Sequence, residues 1–137
     1  MIHRSSLLAV VLSSALAGAA WAAEPPAASS DSPEAEASLY NQSVTLPRQA
    51  TACAERIADY LPRFQKSFEA WRSENAVHIA NGGRFVHEQA AKGGIDADAG
   101  LARLADADVE RLHRTSPELL AKHCQLMLES LAPPPAN

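Results

Sequence analysis

The sequence predicts an all-α fold, a small antiparallel bundle of about four helices closed by one disulfide. Three observations predict it. Apolar residues recur at steps of three and four over residues 46–71 and again over 101–131, which is the spacing of one helix face. No stretch competes with the alternation of a half-buried strand. The two cysteines, Cys53 and Cys124, fall on the apolar stripes of the first and last segments, so both face one shared core.

The first stripe is Leu46, Ala50, Cys53, Ile57, Leu61, Phe64, Phe68 and Trp71. Thr45 is the expected cap and Pro47 falls in the expected first turn, where its missing N–H has no helical partner. Pro62 interrupts the stretch without changing its phase, so the helix is either kinked or broken there. Asn81-Gly82-Gly83 reads as a stop, since glycine takes the left-handed conformation that ends helices. One or two turns over 84–92 then bury Phe85, Val86 and Ala90 before Gly93-Gly94 ends them. Asp96 or Asp98 caps the next helix, whose stripe is Leu101, Leu104, Ala105, Val109 and Leu112. Ser116-Pro117-Glu118 begins the last helix with a capping hydroxyl, a first-turn proline and an acid facing the positive helix end. Its stripe is Leu120, Cys124, Met127 and Leu131, with Leu128 adjoining, and Pro133-Pro134-Pro135 stops it.

Outside residues 45–132 the composition changes. Residues 1–22 carry Arg4, an apolar centre at Leu7–Leu12 and a close at Ala20-Trp21-Ala22. This is the pattern of a secretory signal peptide cut between Ala22 and Ala23. The second half of that run is Ala, Ser and Gly, too weakly apolar for a spanning anchor, and no cysteine before Cys53 offers a lipidation site. Residues 23–44 read as a disordered acidic Pro/Ser/Ala linker, and 133–137 as a Pro-rich tail. The expected product is periplasmic or secreted, with no membrane span after cleavage.

That destination bears on the cysteines. In an oxidising compartment an even count is read as a bridge, and closing so long a loop stabilises a small domain by about 4 kcal/mol in the chain-entropy model. The full chain has twelve basic and sixteen acidic residues, net −4; loss of residues 1–22 removes Arg4 alone and leaves −5. Four acids precede Arg48, so the remainder is close to neutral. Neither phosphate-backbone binding nor polybasic membrane contact fits that balance.

No catalytic set is expected. His87-Glu88 is followed by Gln89-Ala90-Ala91, so the second histidine of a metalloprotease motif is missing. His113 and His123 sit on successive helices, but His78, His87, His113 and His123 read as scattered surface residues, with no metal or other cofactor. Covalent haem would need Cys-x-x-Cys-His, and there is no Gly-x-Ser-x-Gly elbow. Asp106, Asp108 and Glu110 lie two apart and diverge around their helix. The most particular stretch is Phe68–Asn75. There Trp71 is expected in the core, or else with Arg72 and Asn75 on an interaction surface, because Trp and Arg dominate interface hot spots.

The layout, with one cysteine early in the first helix and one in the last, is similar to small disulfide-closed helical proteins of Gram-negative envelopes, the pilotins of type II secretion among them. This chain lacks their lipid-attachment cysteine, and no residue role is carried across. The expected function is non-enzymatic binding of another envelope or secreted protein, as an adaptor, inhibitor or immunity-type partner. The alternative is a small-ligand or metal carrier using the four histidines.

Overall fold

The computed structural model describes residues 32–133. The expected signal peptide, residues 23–31 of the expected linker and the tail beyond Pro133 lie outside them. The described residues form five helices and no strand: α1 Pro33–Ala54, α2 Tyr60–Glu74, α3 Ala76–Lys92, α4 Ala97–His113 and α5 Pro117–Ser130.

α1 starts twelve residues before the expected domain boundary, so residues 33–44 are helix rather than linker. The cause is local. Ser32 Oγ accepts the Ala35 N–H at 3.1 Å, Pro33 occupies the first turn, and Glu34 and Glu36 face the positive helix end. These are the devices that begin α5 at Ser116-Pro117-Glu118; at residue 32 the surrounding Pro, Ser and acids disguise them. Thr45 is therefore no cap. It is buried mid-helix and donates to the Asn41 carbonyl at 3.0 Å. Pro47 is likewise interior, and the helix runs through it.

The first break falls at residues 55–59, before Pro62. Arg56 and Ile57 N–H groups both close on the Cys53 carbonyl, and Asp59 adopts a left-handed φ of 56°, a conformation that Asp tolerates better than most residues. Pro62 is the third residue of α2, where a missing N–H costs nothing. After the left-handed turn Tyr60 takes the place on the stripe expected for Leu61: Tyr60 is buried and Leu61 is 36% exposed. From Tyr60 the stripe continues through Phe64, Phe68 and Trp71. Their rings form a ladder with centroid spacings of 6.4, 5.1 and 5.6 Å and interplanar angles under 20°. Each such contact adds about 0.5–1.5 kcal/mol beyond the area it buries.

Gly82-Gly83 is not a stop; α3 runs straight through it. Gly82 is buried against the α1 backbone, and a Cβ there would overlap the Glu36 carbonyl. Gly83 lies against the Tyr40 ring, 3.1 Å from its would-be Cβ. These glycines allow two helices to approach closely. Gly93-Gly94 does end the helix as expected. Gly94 has φ 67°, and the Ile95 and Gly94 N–H groups bond the Ala90 and Ala91 carbonyls, the paired bonds of a Schellman end. Asp96 caps α4 by accepting the Ala99 N–H at 3.0 Å. Leu101, Ala105 and Leu112 are buried on α4, whereas Leu104 is 52% exposed.

The helix directions follow from paired contacts. Along α1, Glu36 meets His78 and Tyr40 meets His87, both on α3. Tyr40, Arg48 and Glu55 then meet Asp98, Asp106 and His113 in turn on α4. α3 and α4 thus run parallel with α1, one beside its first half and the other beside its second. α2 starts near Cys53 and ends where α3 begins beside Glu36, so it runs opposite to α1. α5 runs alongside α2 in the same direction. The bundle is therefore antiparallel only between the pair α2/α5 and the other three helices.

The expected disulfide is present. Cys53 and Cys124 are bonded, 5.9 Å apart at Cα, and both are fully buried. They sit within a core of Ala50, Ala52, Tyr60, Phe64, Phe68, Trp71, Leu112, Leu120, Met127 and Leu131.

Two glycine substitutions separate packing from propensity. Gly82→Ala forces α3 away from α1 and is expected to lower unfolding free energy by about 3 kcal/mol. At Gly100, where a Cβ meets nothing within 4 Å, alanine should raise it by about 1 kcal/mol. Urea unfolding of the two variants measures both.

Candidate functional site

Of the three residues expected at an interaction surface, two are engaged within the fold. Trp71 ends the aromatic ladder at 8% exposure and is a core residue. Asn75 joins α2 to α3: its Nδ2 and its backbone N–H both donate to the Trp71 carbonyl, at 2.8 and 3.0 Å, and its own carbonyl accepts the Ile79 N–H. Arg72 alone is exposed, its guanidinium 5.9 Å from the Phe68 ring centroid. Two of the three therefore hold the fold together.

The four histidines are held apart, each against a partner on another helix. His78 Nδ1 lies 3.0 Å from Glu36 Oε1, and Asn81 Nδ2 donates to the same oxygen at 2.8 Å. His87 Nε2 lies 3.1 Å from Tyr40 Oη and 3.3 Å from Asp98 Oδ1. His113 Nε2 is 3.0 Å from Glu55 Oε2. His123 Nε2 is 3.3 Å from Gln49 Oε1, and Gln49 Nε2 donates onward to Asp108 Oδ2 at 3.0 Å. Burial, then the nearby Arg111 cation, push the His123 imidazole below its usual value, with Asp108 opposing. His113 and His123 do not converge, and among the described residues no three His, Cys, Asp or Glu side chains gather as a metal would require.

The concave surface lies elsewhere, between α2 and α5. Two adjoining openings of about 430 Å³ each share Arg63 and Leu128 as common walls. The first is lined by Ile57, Tyr60, Ala121, Gln125 and Glu129 as well. The second adds Lys66, Ser67, Ala70, Leu131, Ala132 and Pro133. Each lies within the usual range of ligand-sized clefts. The disulfide positions this groove. Tyr60 Oη donates to the Cys124 carbonyl at 2.8 Å, so the start of α2 is tied to the α5 residue that is itself bonded to α1. Burial pushes the Tyr60 phenol up to about 12, which keeps it a donor throughout the physiological range.

Arg63 and Lys66 went unnoticed in the sequence because no motif contains them. The signal lies in spacing. Residues 63, 66, 67 and 70 share one face of α2, and 121, 125 and 128 share one face of α5; only their pairing makes a groove.

The Glu36 cluster has a pH signature. Hydrogen bonds from Asn81 and then His78 hold its carboxyl below the usual range, outweighing its partial burial. A depressed carboxylate stabilises the fold above its ordinary value of 4.5, and that contribution is lost as pH falls through the lower folded value. Glu36→Gln should therefore flatten the decline of the urea midpoint with acid below about pH 4.5. An unchanged acid limb would show that Glu36 gains nothing from these contacts. No protein-family model, curated protein or solved structure matches this chain.

Proposed function

We propose that this chain is an exported partner-binding domain, cleaved between Ala22 and Ala23, whose α2/α5 groove receives an extended segment of another envelope or secreted protein. The observation that carries the reading is the groove itself: an open, partly apolar trough between α2 and α5, joined by the Tyr60 hydroxyl at Cys124, which is itself bonded to α1. A trough held rigid in advance loses less conformational freedom on binding. The buried disulfide supports export, because such bonds persist in oxidising compartments. No helix among the described residues is long and apolar enough to cross a membrane.

Extended polypeptide suits the shape. Residues 60–70 of α2 span about 15 Å at 1.5 Å per residue, the length of about five extended residues. Side chains alternating along such a segment would enter the two openings in turn.

Site-specific photo-crosslinking in the producing cells tests this. A photoreactive residue at Ser67, inside the groove, should give one discrete adduct with an exported protein. The same residue at Ala107, exposed on α4, should give none. No adduct from position 67, or equal adducts from both positions, would contradict the reading.

A further inference from the structure

We propose that the segment received by the α2/α5 groove is acidic as well as apolar, with its carboxylates seated against Arg63 and Lys66. This rests on the partner-binding reading above and names the chemistry of the partner. The first support is a local reversal of sign. The chain as a whole carries net charge −4 and repels acidic partners at long range, yet the rim of this groove carries two cations one helical turn apart on α2. Among the described residues neither Arg63 nor Lys66 makes an ion pair or a side-chain hydrogen bond. Arg48, Arg111 and Arg114, on α1 and α4 and just beyond, are engaged by Asp106, Asp108 and Glu110. Arg56, Lys92, Arg103 and Lys122 are likewise without an ion pair among the described residues, so what sets Arg63 and Lys66 apart is their shared place on the rim of an apolar groove.

The second support is the contrast between the two ends of the groove. Glu129 stands at the end lined by Ile57 and Tyr60, where Gln125 Nε2 donates to its Oε1 at 2.8 Å. Lys66 stands at the other end, over an apolar floor of Ala70, Leu128, Leu131 and Ala132, with Arg63 shared between the two. An acidic side chain is therefore repelled at one end and attracted at the other, which sets the direction in which a segment lies. Burying leucine-sized side chains on the floor supplies affinity, and the rim charges supply selection and orientation.

Fluorescence anisotropy of the oxidised protein with three labelled hexapeptides tests the proposal. One alternates Leu and Glu, the second replaces each Glu with Gln, and the third replaces each with Lys. The Leu/Glu peptide should bind at least tenfold more tightly than the Leu/Gln peptide, with a preference that shrinks as salt rises, and the Leu/Lys peptide should bind weakest. Arg63→Glu/Lys66→Glu should abolish that preference. Arg103→Glu/Lys92→Glu, an equal change of net charge on other helices, should retain it. If the charge reversal unfolds the protein by circular dichroism, Arg63→Gln/Lys66→Gln serves in its place with the same expectation. Equal binding of the Glu and Gln peptides, no binding of the Leu/Glu peptide, or equal loss in the Arg103/Lys92 variant overturns the proposal. A Ser67 adduct that persists alongside any of these results leaves the partner-binding reading standing and removes only its acidic chemistry.

Discussion

The bond between Cys53 and Cys124 is the constraint on which the rest of the molecule depends. It joins the end of α1 to the middle of α5 across 71 residues, and the Tyr60 hydroxyl then ties the start of α2 to the Cys124 carbonyl. Three helices therefore meet at one dry point. The aromatic ladder of α2 runs outward from that point to Trp71 and fills the space between α1 and α5. A domain of this size has little apolar surface to bury, and a cross-link of about 4 kcal/mol is comparable with much of the stability such a domain has in total. Both sulfurs are fully enclosed, so the bond is structural, and no free thiol remains among the described residues.

α3 is held differently. Its one buried residue is Gly82, and Ile79 packs against the edge of the core. It stays by close approach to the α1 backbone and by polar contacts: His78 and Asn81 on Glu36, and His87 with Tyr40 and Asp98. The exposed His87–Asp98 pair contributes little, whereas the Glu36 contacts are part-buried. The molecule thus has a stapled, aromatic side that carries the groove and a second side held by close glycine packing and imidazole contacts. A rigid groove face suits a site that must keep its shape before a partner arrives.

Much of the fold was legible in the sequence, because helix periodicity and capping chemistry are local. The stripe Leu120, Cys124, Met127 and Leu131, the cap at Ser116 and the glycine end of α3 all depend on residues within one or two turns. The disulfide was legible through an even cysteine count on two apolar stripes, read with the expectation of export. What escaped depended on distant partners. Gly82 has the same local character as Gly94, and only the α1 backbone against it makes it a packing residue rather than a stop. Ser32-Pro33-Glu34 carried the same start signal as Ser116-Pro117-Glu118 but was masked by its composition. The burial of Tyr60 in place of Leu61 depends on where α2 begins after the left-handed turn at Asp59, since either residue fits a stripe that continues at Phe64. The groove was least legible of all, since Arg63 and Lys66 acquire meaning only when α5 lies alongside them.

Native-state hydrogen exchange, read helix by helix on the oxidised protein and on the Cys53→Ser/Cys124→Ser variant, tests this division most directly. In the oxidised protein the second half of α1, α2 and α5 should exchange slowest and together, through global unfolding, while α3 exchanges faster through local opening. In the variant, protection of α2 and α5 should fall towards that of α3. Protection of α3 equal to that of α5 in the oxidised protein, or an α5 unaffected by loss of the bond, would contradict the account.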